Sequence, residues 1–183
     1  MSTEHLVLGK TEDFITGDIV PDTYDERARQ KIARLLVEEK GYAKSDIAVR
    51  RRIRLSIEGE TATVTVDFVL YVDEKAFAIV IFGPGSLVSR ERPALAAARL
   101  LEKYVVPYVV VTNGQDAEVL ETSSGSIIAE GLKAIPSKES ARERIEGFPF
   151  ETLSEARLDK EQRILFAFDV LAEKECDEYT CSL

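Results

Sequence analysis

Between residues 47 and 82 apolar and polar positions first alternate and then give way to an unbroken apolar run, the strongest structural signal in the chain. Residues 47–57 are rich in β-branched side chains and arginine, which suits an extended segment. Glu58-Gly59-Glu60 makes a turn. Over 61–72, Ala62, Val64, Val66, Phe68, Leu70 and Val72 form one row, and Thr61, Thr63, Thr65, Asp67, Val69 and Tyr71 form the other. A two-residue period of this kind predicts a strand with a single apolar face. After Asp73-Glu74-Lys75, residues 76–82 are apolar throughout, as a strand buried on both sides requires.

Helical signals flank these strands. Thr23-x-x-Glu26 has the spacing of a capping box, Ile32, Leu35 and Leu36 form a stripe, and Gly41 supplies a stop, predicting a helix over 24–40. Ahead of it a short strand is expected near Leu6–Leu8. A second helix is expected over about 90–103, capped by Ser89, with Pro93 in its first turn. Residues 105–112 read as a buried strand reached by a helical crossover, hence parallel to a neighbour. Asn113-Gly114 and Ser123-Ser124-Gly125 punctuate two further strands, 117–122 and 126–130. Ser137 caps a short helix over 138–146, and 154–174 reads as a long helix striped by Leu158, Ile164, Leu165, Phe168 and Leu171. The order α-β-β-β-α-β-β-β-α-α predicts one α/β domain over 1–183. Its core is a mixed sheet flanked by helices over about 20–135, with a helical extension over about 137–175.

Composition narrows the function. At 183 residues, 45% hydrophobic and 31% charged, the chain suits a globular domain with a sizeable core. No apolar run approaches the ~20 residues that span a bilayer, and the N-terminus lacks the basic and apolar regions of a secretory signal, so a cytoplasmic protein with no membrane partner is expected. The net charge of −9 opposes tight non-specific nucleic-acid binding. Positive charge is concentrated in Arg50, Arg51, Arg52 and Arg54. Strand alternation puts Arg50, Arg52 and Arg54 on one face, either as a solvated row or as a contact for DNA phosphates.

Other candidate chemistry is thin. Gly9-Lys10-Thr11 resembles the end of a phosphate-binding loop, but position 4 is Glu where the first glycine belongs. Gly83-Pro84-Gly85-Ser86 reads as a connection between strand and helix rather than a phosphate cradle. The single histidine, His5, leaves no catalytic triad. Cys176 and Cys181 are too few for a four-ligand metal site within one chain and read as reduced thiols; a metal shared across a dimer is the alternative.

The α-β-β-β-α-β order with a carboxylate on the second strand is that of the PD-(D/E)XK, or restriction-endonuclease-like, nucleases. Within them the chain resembles the N-terminal domain of type I restriction enzyme R subunits. The resemblance rests on residues 24–42, on Val66-Asp67-Phe68-Val69-Leu70-Tyr71, on Gly83-Pro84-Gly85-Ser86, on 90–101 and on 109–114, and covers roughly residues 20–135. It implies a site in which two carboxylates hold Mg²⁺ and a lysine helps position or deprotonate the attacking water. Asp67 matches the family aspartate, and Glu26 matches a frequent accessory acid. Val80 and Phe82 stand where the family's acid and lysine belong, and Pro93 stands where the following helix often supplies a glutamine.

This comparison implies a catalytically degenerate relative, a binding or assembly module in a prokaryotic cytoplasm, with no cofactor. Its expected partner is a protein or a second copy, with weak DNA contact through Arg50, Arg52 and Arg54. The alternative is an active Mg²⁺-dependent DNA endonuclease with a non-standard site using Asp67 and Glu26, with Asp67 as the metal position.

Overall fold

The computed structural model describes residues 6–170. An N-terminal ribbon comes first, in which β1 (Gly9–Glu12) pairs antiparallel with β2 (Ile19–Asp22). The apolar run Leu6–Leu8 misplaces this strand: it lies just ahead of β1 with all three side chains exposed, so no burial fixes it. The ribbon is instead organised by its loop, where Asp13 Oδ1 accepts the N–H groups of Ile15 and Thr16 at 2.9 and 3.0 Å.

Helix α1 (Tyr24–Arg34) begins as the capping signal predicts, the Thr23 hydroxyl accepting the Glu26 N–H at 3.0 Å. It continues as a π-helical turn over Leu35–Glu39, and Gly41, at φ 75°, ends it. The predicted hairpin order follows in β3 (Ile47–Ile57), β4 (Glu60–Val72) and β5 (Lys75–Phe82), all antiparallel. Helix α2 (Val88–Leu100) then crosses to β6 (Tyr108–Thr112), which runs parallel to β5. Strands β7 (Ala117–Glu121) and β8 (Ile127–Glu130) complete a six-stranded sheet in the order β3-β4-β5-β6-β7-β8. Helices α3 (Lys138–Ile145), capped by Ser137, and α4 (Glu155–Leu165) follow, the latter extended by a π-helical turn over Phe166–Val170.

Two details of the helices differ from the sequence pattern. Helix α2 starts before Ser89, whose hydroxyl bonds to Ser86 O rather than capping a helix end. Pro93 therefore lies in the second turn, where it withholds the N–H that would have reached Ser89. On the last helix Phe168 is exposed rather than part of a buried stripe, and Leu171 lies outside the described residues.

The sheet is covered on both faces. Ile32, Ala33 and Leu36 of the first helical segment and Ala141 of α3 pack on one side with Phe68, Leu70, Val80 and Val110. Residues 94–98 of α2 and Leu165 of α4 pack on the other with Ile79, Val109 and Leu120. Strand β5, central in the sheet, has residues 76–80 wholly buried, which accounts for its lack of alternation.

The strict single-face reading of β4 fails in two ways: Val69, on the opposite row, is fully buried, and the apolar row changes core part-way along. Phe68, Leu70 and Val72 join the core under α1 and α3, whereas Val64 and Val66 join the core under α2 and α4. Strand β3 crosses over likewise, from Ile47 on the first side to Ile53 and Leu55 on the second. Both crossings occur where Arg50 and Asp67 face each other, a pair absent from a ladder that passes from Val49–Phe68 to Arg51–Val66. Arg50 has a left-handed φ of 51°, uncommon for a residue with a side chain and able to re-aim a strand.

Candidate active-site cleft

Asp67 stands where the sheet parts. Strands β4 and β5 pair from Val72 to Phe68, the last pair being Phe68 with Val80. Beyond that point the Phe82 N–H donates to Asp67 Oδ2 at 2.8 Å instead of to a strand carbonyl. The β3–β4 hairpin diverges from β5, and a cleft of about 510 Å³ opens between it, α1 and α2.

The other Asp67 oxygen is held from α1. Arg29 Nε donates to Oδ1 at 2.6 Å, and the same guanidinium has Nη1 3.8 Å from Glu26 Oε2. Glu26 and Arg29, three apart, share a helix face, which is why one cation serves both acids. Its carbon also lies 5.4 Å from the centre of the Phe82 ring, within cation–π range. The two carboxylates that the resemblance singles out are thus joined, and what joins them is a guanidinium.

The network extends to the N-terminal ribbon. Glu26 Oε1 accepts from Gln30 Nε2 at 2.7 Å and from Arg50 Nη2 at 2.8 Å. Arg50 Nη1 donates to Asp13 Oδ2 at 2.6 Å, and Gln30 Oε1 accepts the Phe14 N–H at 2.6 Å. Charges therefore alternate along Asp13, Arg50, Glu26, Arg29 and Asp67. Burial opposes ionisation of Asp13, but the hydrogen bonds from Thr16 N–H, Arg50 and Ile15 N–H outweigh it and hold the carboxyl below its ordinary value. Arg50 is desolvated too, yet Asp13 and Glu26 raise its affinity for the proton.

Of the arginine row, Arg52 and Arg54 are exposed, alternating with buried Ile53 and Leu55. Arg50 departs from a simple solvated row because Asp13 and Glu26 occupy its guanidinium. Val80 is fully buried under α1, and Phe82 forms part of the cleft wall. Pro93 lines the cleft from α2. His5, Cys176 and Cys181 lie outside the described residues. Sequence reasoning missed Asp13, Arg29 and Gln30. Arg29 and Gln30 were within its reach, since they sit three and four residues after Glu26; Asp13 belongs to a ribbon that leaves no apolar pattern.

The Mg²⁺ that the resemblance implies would require several free oxygen ligands near octahedral geometry. Here both Asp67 oxygens and Glu26 Oε1 accept from cationic or N–H donors, and Glu26 Oε2 faces Arg29. Among the described residues no three His, Cys, Asp or Glu side chains come together around a point that could hold a metal. This arrangement of donors does not fit a divalent cation.

The family model for the type I restriction enzyme R protein N terminus matches residues 24–136, from the start of α1 past the end of β8. The chain belongs to this family. No curated protein and no solved structure matches it. The matched span contains Asp67, Glu26, the arginine row and the whole six-stranded sheet of this R-protein N-terminal domain, while the β1–β2 ribbon that carries Asp13 precedes it. No helix among the described residues of this family member is long and apolar enough to cross a membrane.

Proposed function

We propose that this member of the R-protein N-terminal family is a catalytically degenerate nuclease fold that serves as a binding or assembly module. The observation that carries the reading is the 2.6 Å contact of Arg29 with Asp67, in the place where the resemblance expects a metal ion. A guanidinium neutralises the carboxylate but cannot bind and acidify a water as a divalent ion does. Val80 and Phe82 supply neither the second acid nor the lysine, so general-base assistance to a water has no candidate at the cleft end of β5. What remains is a cleft with cationic and hydroxyl-bearing walls, beside a hairpin carrying exposed Arg52 and Arg54. Its partner is a protein, including a second copy of the chain, with DNA contacted through Arg52 and Arg54.

Cleavage of plasmid and single-stranded DNA with Mg²⁺ or Mn²⁺ tests the reading, wild type beside Asp67→Ala. The expected result is no cleavage by either protein. Cleavage by the wild type that Asp67→Ala abolishes would overturn it in favour of a metal-dependent nuclease using Asp67 and Glu26.

A further inference from the structure

We propose that a second cavity, walled by residues 148–157, takes a small zwitterion, a free amino acid with an apolar side chain. It lies apart from the Asp67 cleft, where β6 begins and β7 ends, and has a volume of about 400 Å³. Cavities of ~300–1,000 Å³ commonly hold small ligands. Its outer wall, Phe148 to Arg157, follows the span 24–136 that the family model matches.

The wall is held in place. Val105 N–H donates to Glu151 O at 2.9 Å, and the Phe150 ring packs edge-on against Tyr104 at 4.8 Å. Val105, Phe148 and Leu153 give the cavity an apolar surface. Charge borders it from the helices. Arg99 of α2 and Arg157 of α4 line the cavity, and both donate to Oε1 of the fully buried Glu161, at 3.2 and 2.7 Å. That bond uses Nε of Arg157 and, among the described residues, leaves its two terminal nitrogens without a partner. Side by side in one plane, such nitrogens fit a carboxylate.

Acids line the same cavity, Glu121 from the end of β7 and Glu151 from the outer wall. A ligand with one charge is drawn to one pair and repelled by the other, whereas a zwitterion satisfies both. The polar side is also short of partners. Glu161 Oε2 and Thr122 Oγ1, on the two residues to which Arg99 donates, are buried without a hydrogen bond among the described residues. Polar atoms in that state call for water or for the polar end of a guest. A carboxylate against the arginines, an ammonium against the acids and an apolar side chain against Phe148 and Leu153 use each kind of surface in the cavity.

Isothermal titration calorimetry of the full chain with L-phenylalanine tests the proposal. Two analogues run beside it: 3-phenylpropionate, which lacks the ammonium, and phenethylamine, which lacks the carboxylate. The expected result is binding of L-phenylalanine, with each analogue about tenfold or more weaker. Arg157→Gln should weaken L-phenylalanine about tenfold and leave the weaker binding of phenethylamine unchanged, a selectivity that a purely structural role would not move. Should that variant fail to fold, the double variant Glu121→Gln with Glu151→Gln carries the test, weakening L-phenylalanine but not 3-phenylpropionate. No binding of L-phenylalanine, an analogue that binds as tightly, or a folded variant that keeps full affinity would overturn the proposal.

Discussion

Arg50 and Asp67 face each other across the β3–β4 ladder, yet their side chains do not pair: Arg50 turns to Asp13 and Glu26, and Asp67 to Arg29. At this position both strands carry their apolar residues from one core to the other, and the cleft opens. The electrostatic network and the change of strand face are therefore one feature of the fold.

Arg29 and Asp67 should be energetically coupled. Asp67 is 11% exposed, so removing its cation leaves a poorly solvated carboxylate. Arg29→Ala and Asp67→Ala should each cost about 1–3 kcal/mol in urea unfolding, and the double variant less than their sum. Additive losses would show that the contact contributes nothing to stability.

Arg50 separates side-chain from backbone effects. Arg50→Ala removes two ion pairs and keeps a Cβ at φ 51°, whereas Arg50→Gly removes the same pairs and relaxes the backbone. The glycine variant should be the more stable of the two by about 1 kcal/mol, and both should be less stable than wild type. Chemical denaturation of the three proteins, compared by midpoint and slope, reads this difference.

Much of this architecture is legible in the sequence. The apolar run of β5, the hairpin turns, the Thr23 cap and the crossover to β6 each rest on a local rule, and each stands in the structure. The resemblance singles out Asp67 and, given a first helix packed beside it, Glu26. The rest depended on contacts between segments distant in sequence. Nothing local in Asp13 says that it binds Arg50, 37 residues away, and nothing in Arg29 says that it reaches Asp67, 38 away. Likewise the alternation of β4 marks Val64, Val66, Phe68, Leu70 and Val72 as buried but misses Val69, which is fully buried on the opposite row, and a period of two cannot tell which core receives each residue once a neighbouring strand adopts a left-handed residue.

Asp13 makes stability fall in acid. Its folded-state proton affinity lies below the ordinary carboxylate value, 3.8 for an unperturbed aspartate, so it stabilises fully above that value and loses the contribution as pH falls through the folded one. The gap in Tm between wild type and Asp13→Asn should be widest near pH 7 and should narrow as the pH falls below the ordinary aspartate value of 3.8. A gap that widens in acid would contradict the sign.

A second buried network ties α2 to α4. Glu161, fully buried, accepts from Arg157 at 2.7 Å and from Arg99 at 3.2 Å, and Arg99 also donates to Thr122 O at 2.6 Å. Glu161→Ala leaves Arg99, itself 6% exposed, without its counter-charge, and should cost about 3–5 kcal/mol. Arg163→Ala, which breaks only exposed pairs with Asp159 and Glu58, should leave the urea midpoint unchanged within error.

The arginines of β3 also bear on what the sheet refuses. β3 is an outer strand 11 residues long, and among the described residues no strand pairs with its outer edge, where the Ser56 N–H donates to Gln162 Oε1 at 3.1 Å; such an edge invites another strand to add on. A second copy docking there edge to edge would set Arg51, Arg52 and Arg54 against the same residues of its twin. Like charges in register repel, so the longest open border of the sheet discourages self-propagation, and this guard against stacking into fibres operates whether or not the cleft ever holds a ligand.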